Sequence, residues 1–256
     1  MIKAIFFDID GTLFSHAKNK IPVSTIDCLN ILRNKGIKTI IATGRHKIDL
    51  ATLPVKDIPF DGYLTLNGQL LLDEDLRTYA STPIDKEEME IVSRIFATKK
   101  IPLILVTEND RYINYVDDTV IEVLNGEHMD IPPIKKYDGE TIYQAMAYVK
   151  KDQQDLLDSL LDECSITSWH PRGIDIIPIG GGKSNGVRQY IKQNNLKIEE
   201  TMAFGDGDND VGMLKSVGIG IAMGNASIKA KQAANYITDD IDNDGIKNAL
   251  KHFKII

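Results

Sequence analysis

One short run near the start of the chain leaves little freedom. Ala4-Ile5-Phe6-Phe7 is apolar at every position and ends abruptly in Asp8-Ile9-Asp10-Gly11. A run apolar on both faces suits a strand in the middle of a parallel sheet, covered above and below. It is too short for a membrane span or a signal peptide, and we expect a cytoplasmic protein. The pattern that follows agrees. A helical repeat over 22–35 carries Ile26, Leu29 and Leu32 on one side, with Ser24 and Gly36 as punctuation. A second buried strand reads over 38–42, a helix over 45–53, and a third strand over 62–66. Strand and helix in alternation predict an α/β fold with a doubly wound, Rossmann-like parallel sheet.

The rhythm then changes. Asn67-Gly68 is a hairpin signal, and 69–79 reads as short antiparallel strands. Pro83 precedes an amphipathic helix with Ile91, Val92, Ile95 and Phe96, followed by strands near 103–107, 111–116, 144–150, 165–169 and 174–179 and a helix over 152–161. The α/β rhythm resumes with a helix from Lys183, strands over 201–204 and 218–222, and helices near 211–215, 226–234 and 246–252. We therefore expect a core from residues 1–82 and 181–256 and an inserted α+β cap over 83–180.

Ligands of open α/β sheets bind beyond the C-terminal strand ends. Here those ends carry Asp8-Ile9-Asp10-Gly11-Thr12, Thr43-Gly44-Arg45 and Gly205-Asp206-Gly207-Asp208-Asn209-Asp210. Two carboxylates about 4 Å apart repel by roughly 4 kcal/mol at an effective dielectric of about 20. Several such pairs would consume much of a domain's roughly 5–15 kcal/mol of stability. A bound cation removes that cost, and oxygen ligands beside a substrate phosphate favour Mg²⁺. Residues i and i+2 of a strand share a side, so Asp8 is placed as nucleophile with Asp10 as general acid, then base. Read alone, Asp-Gly is also a common turn. The net charge of −7 argues against nucleic acid as a partner. No protein partner is evident, and a small phosphorylated metabolite needs only a few local donors. Cys28 and Cys164 lack any metal or CxxC spacing and read as free thiols in a reducing compartment.

The order Asp8-Ile9-Asp10-Gly11-Thr12-Leu13, Ala42-Thr43-Gly44-Arg45, Lys183 and Gly205-Asp206-Gly207-Asp208-Asn209-Asp210 resembles the four motifs of the haloacid dehalogenase superfamily over nearly the whole chain. The large insert resembles the C2B cap of the Cof-type branch, and Asn67-Gly68 is similar to a turn of that branch. The resemblance implies Asp8 as nucleophile and Mg²⁺ ligand, and Asp10 as acid/base and ligand through its backbone carbonyl. It implies Thr43, Gly44, Lys183 and Asn209 around the transferring phosphoryl group, Asp206 as direct metal ligand and Asp210 as a supporting carboxylate. Gly180-Gly181-Gly182 before Lys183 is richer in glycine than the family pattern.

Other patterns are weaker. Gly182-Lys183-Ser184 mimics a P-loop, but the required earlier glycine is Ile177. Asp240-x-Asp242-x-Asp244-Gly245 mimics a calcium loop whose twelfth position is Lys251 in place of Glu. Asp208 either reaches the metal or sits exposed at a helix start. Arg45 either holds substrate or pairs with a nearby acid. Trp169, His170 and Arg172 lie late in the insert and are candidates for leaving-group specificity, with packing or surface roles competing for Trp169 and His170. His16, His46, His128 and His252 show no metal spacing. Asp10 two residues after Asp8 favours phosphate monoester hydrolysis, with sugar phosphates the implied substrates. A sugar phosphomutase and an inactive metabolite-binding module are the alternatives.

Overall fold

A computed structural model describes residues 1–126 and 129–256, so His128 lies outside the described residues. The chain divides into two compact units, Met1–Ser81 with Gly182–Ile256, and Thr82–Gly181.

The first unit begins with β1 (Ala4–Phe7), α1 (Val23–Asn34), β2 (Lys38–Ala42), β3 (Gly62–Thr65), β4 (Leu70–Leu72) and β5 (Thr78–Ser81). The second contributes α2 (Lys86–Thr98), β6 (Leu103–Val106), β7 (Arg111–Ile113), α3 (Asp118–Gly126), β8 (Gln144–Tyr148), α4 (Lys151–Leu160), β9 (Cys164–His170) and β10 (Gly173–Pro178). The first unit is completed by α5 (Lys183–Gln193), β11 (Thr201–Gly205), α6 (Val211–Lys215), β12 (Ile219–Ala222), α7 (Ile228–Ala233), β13 (Tyr236–Ile237) and α8 (Gly245–His252).

The first unit is one sheet in the order β13-β12-β11-β1-β2-β3-β4-β5. Pairing is parallel from β13 to β3 and antiparallel from β3 to β5. The all-apolar β1 sits between β11 and β2 and is buried at all four residues. Phe6 meets Tyr190 of α5 edge-on, and Phe7 stacks on Phe204 of β11. Helix α1 packs on α8, while α5, α6 and α7 pack in sequence. The Asn67-Gly68 signal becomes a one-turn 3₁₀ segment, Leu66–Gly68, joining the antiparallel β3 and β4.

The second unit is a five-stranded antiparallel sheet in the order β7-β6-β8-β10-β9. Leu103 and Leu105, Ala145 and Ala147, and Ile174 and Ile176 alternate onto one face, which packs with Val92 and Phe96 of α2 and Leu157 of α4. No helix among the described residues is long and apolar enough to cross a membrane.

Three expectations need correction. Strand β1 ends at Phe7, so Asp8 and Asp10 lie in the turn beyond it, and strand alternation does not orient them. The segment 45–53 forms a short 3₁₀ helix, Lys47–Ala51, capped by His46 and followed by Pro54. Helix α3 was not expected: Thr119, Val120, Ile121 and Val123 are β-branched, but Asp117 accepts from the Val120 amide at 3.0 Å and Val120, Val123 and Leu124 are buried on one side.

Candidate active site

Neighbouring parallel strands must end at the same edge, and β11, β1 and β2 are neighbours. The turns after them therefore emerge side by side. Asp8 continues the ladder, its amide donating to the Phe204 carbonyl at 3.0 Å, and Thr43 does the same toward Leu64 at 2.8 Å. Asp206 follows Gly205 at the end of β11.

Lys183 arrives from the first position of α5. That helix start is pressed against the Leu66–Gly68 turn, where a Cβ on Gly186 would stand 2.9 Å from the Gly68 Cα. Only two glycines allow this approach. The fully buried Lys183 ammonium donates to Asp8 Oδ1 at 2.5 Å and to Asp210 Oδ1 at 2.7 Å. The second Asp210 oxygen accepts from the amides of Asp206 and Gly207, both at 2.9 Å. Asp210 thus fixes both the lysine and the turn that presents Asp206.

Carboxylate oxygens of Asp8, Asp206 and Asp210 lie within 4.8 Å of one another. Burial pushes the Asp8 carboxyl well above its ordinary range; Lys183 opposes this, and Asp210, Asp206 and Asp10 add to it. Asp206 is pushed up to about 6 by burial and by the charge of Asp210. Burial works against the Lys183 charge, but Asp210 and Asp8 outweigh it and hold the ammonium protonated. Three acids against one ammonium leave negative charge crowded in a buried space. That donor set fits a hard, oxygen-seeking divalent cation, with Asp8 and Asp206 the carboxylates not already committed to backbone amides.

Asp10 points its carboxylate elsewhere. Arg45 donates to it from Nε and Nη2, each at 2.7 Å, and His16 Nε2 lies 3.0 Å from Oδ1. Burial would raise the Asp10 carboxyl, but the Arg45 hydrogen bonds and charge, with His16, take it below its ordinary value. Of the two readings open for Arg45, the ion pair is the one present. Thr43 is buried and its hydroxyl accepts from the Arg45 amide at 3.1 Å. Gly44 packs against the Asn67 side chain, and Asn209 Nδ2 donates to Asn67 Oδ1 at 3.2 Å. Asp208 is exposed and bonds Ser227 and Lys229, each at 2.7 Å, as a helix-start carboxylate would. In the second unit, Arg172 Nη2 donates to Glu122 at 2.5 Å and the Arg172 amide donates to His170 Nδ1 at 3.1 Å.

Thr12, His16 and Asn67, the last expected only as part of a turn, also reach the site. Thr12 donates to Asp206 Oδ1 at 2.9 Å. Asn67 holds a left-handed φ of 55°, a conformation asparagine tolerates, and this was the available signal. In the calcium look-alike Asp240 caps the Asp242 amide at 2.9 Å, Asp244 pairs with Lys247 at 3.0 Å and Asp242 lies 3.5 Å from the Lys18 ammonium.

The sequence profile of haloacid dehalogenase-like hydrolases matches residues 5–250. The chain belongs to that family. Among haloacid dehalogenase-like relatives, YkrA of Bacillus subtilis (strain 168), provisionally named a phosphatase, is 30% identical over 99% of this chain and 98% of its own length. A solved structure of BT1666 from Bacteroides thetaiotaomicron, described among phosphatases of the superfamily, superposes with a TM-score of 0.91 at 33% identity, covering 100% of this chain and 96% of that one. BT4131, described as a subclass IIB sugar phosphatase, superposes with a TM-score of 0.86 at 34% identity over 99% of this chain and 100% of its own. These neighbours agree with the Cof-type assignment and with a Rossmann-like core.

Proposed function

We propose that the chain is a Mg²⁺-dependent phosphatase of small phosphorylated metabolites, sugar phosphates foremost, working through an aspartyl-phosphate on Asp8. The observation that carries the reading is a buried carboxylate, Asp8, held through one oxygen by Lys183 at the end of a strand whose neighbour ends in Asp206. The phosphatase names of the relatives and the sugar phosphatase description of BT4131 support the substrate class. The buried, unpaired Cys28 and Cys164 support a cytoplasmic location.

Lys183 occupies Oδ1 of Asp8, which leaves Oδ2 to attack phosphorus. The new Oδ2–P bond forms as the ester P–O bond breaks, and Asp10, which must take up a proton as it leaves the Arg45 pair that holds it ionised, gives that proton to the departing oxygen. Asp10, now a carboxylate, takes a proton from water as that water attacks phosphorus, releasing inorganic phosphate and restoring Asp8. Lys183, the Thr43–Gly44 turn and Asn209 hold the phosphoryl oxygens in line. Asp8 and Asp206, with the Asp10 carbonyl, would hold Mg²⁺ while Asp210 supports them. When bound, that ion supplies charge neutralisation for the phosphoryl oxygens and for the crowded carboxylates.

Asp8→Asn is expected to reduce hydrolysis of an aryl phosphate in Mg²⁺ to background. Retention of full activity by this variant refutes the mechanism. With a hexose 1-phosphate, release of inorganic phosphate supports the reading, and accumulation of hexose 6-phosphate overturns it in favour of a mutase.

A further inference from the structure

We infer that Asn225, on the turn after β12, is a positioning residue that sets the Asp206 carboxylate through the Gly11–Thr12 peptide; the inference rests on the phosphatase reading. Strand β12 neighbours β11, so its turn emerges beside the acidic ones while carrying no acid at that point. The turn bonds back to both. Asn225 Nδ2 donates to the Gly11 carbonyl at 2.8 Å, and the Ser227 amide donates to the Asp206 carbonyl at 2.8 Å. The other end of the Asn225 amide is fixed too, Oδ1 accepting from the Ile241 amide at 3.1 Å. Both amide atoms are therefore committed, and the side chain spans two backbones.

What lies beyond the Gly11 carbonyl gives the contact its consequence. Gly11 has φ +78°, and a Cβ there would stand 2.2 Å from Asp206 Oδ2. The next residue, Thr12, donates to Asp206 Oδ1 at 2.9 Å. The residues on either side of this peptide thus bear on both oxygens of Asp206: Gly11 leaves no room for a Cβ beside Oδ2, and the Thr12 side-chain hydroxyl donates to Oδ1. Asn225 is the side chain that holds that peptide's carbonyl. Its two hydrogen bonds go to the Gly11 carbonyl and the Ile241 amide, so it acts through Gly11 and Thr12.

The test uses the full chain and two variants. Asn225→Asp keeps Oδ1 as acceptor for Ile241 but sets an oxygen against the Gly11 carbonyl; Asn225→Ala removes both bonds. Each is expected to lower kcat for an aryl phosphate by about 10- to 100-fold with KM within about threefold, as a misplaced catalytic group does. Each is also expected to raise the Mg²⁺ concentration that gives half of the full rise in melting temperature, a binding readout independent of turnover. Lys229→Ala, which breaks only the exposed pair with Asp208, should match the wild type in both measurements. Folded variants with kcat within twofold of wild type and an unchanged Mg²⁺ midpoint overturn the inference, as does a lowered melting temperature with kcat intact. If the wild type itself releases no phosphate from any ester, the phosphatase reading is what fails.

Discussion

Lys183 has no solvent to fall back on. Its ammonium is wholly enclosed and donates to Asp8 and Asp210, themselves buried. Removing one partner of a buried ion pair costs about 3–5 kcal/mol, because the remaining charge is left uncompensated. Lys183→Met should therefore lower unfolding stability by about that much in chelator, read by urea denaturation. Asp206 gives a pH signature. Its carboxyl titrates at about 6 when folded, against about 3.9 in an unfolded chain. Between those values the folded state holds more protons, so with no divalent ion present its contribution to stability falls as pH rises through the window. Mg²⁺ competes with those protons, and it should raise the melting temperature more at pH about 7.5 than at pH about 5. Much of the site's composition was legible at this scale, because acids after apolar runs stand out in any sequence. What was not legible was the wiring. Nothing in the spacing says that Asp210 divides its oxygens between Lys183 and two amides, or that Arg45 grips Asp10 from two nitrogens. Thr12 and His16 stood in view without a role, because single polar residues in a turn carry no periodic signal.

Among the elements, the start of α5 is the most constrained. It delivers Lys183 only because Gly186 and Gly68 let two backbones approach. Gly186→Ala should push the helix start outward, costing about 1–3 kcal/mol by overpacking and lowering kcat/KM as Lys183 shifts; thermal melts and steady-state kinetics check both. Buried parallel strands such as β1, β2 and β11 announce themselves as continuous apolar runs, and this made the alternation of strand and helix in the core readable. Elements stabilised by partners rather than by pattern did not. Helix α3 contains residues that favour strands and is fixed by burial of Val120, Val123 and Leu124. The two-residue β13 has too little sequence to show alternation and exists because Ile221 and Ala222 of β12 offer an edge. The 45–53 segment has a helix-like apolar spacing but meets Pro54, so only a short 3₁₀ helix forms.

At the level of the whole molecule, the second unit has its own apolar core and is a continuous stretch of roughly one hundred residues, the usual size of an autonomous domain. The segment Thr82–Gly181 expressed alone should unfold in one cooperative thermal transition; a broad, featureless melt would count against its autonomy. The first unit has no such continuity. Strand β1 finds one neighbour early, in β2, but its other neighbour, β11, begins only at Thr201. At about 5–20 residues per second of synthesis, that flank of β1 waits roughly 10–40 s on the ribosome. An all-apolar strand with one row of backbone groups unpaired is a template for misassembly. The nascent polypeptide is then expected to lean on chaperones during synthesis, until Gly205 leaves the exit tunnel and β11 can close that flank.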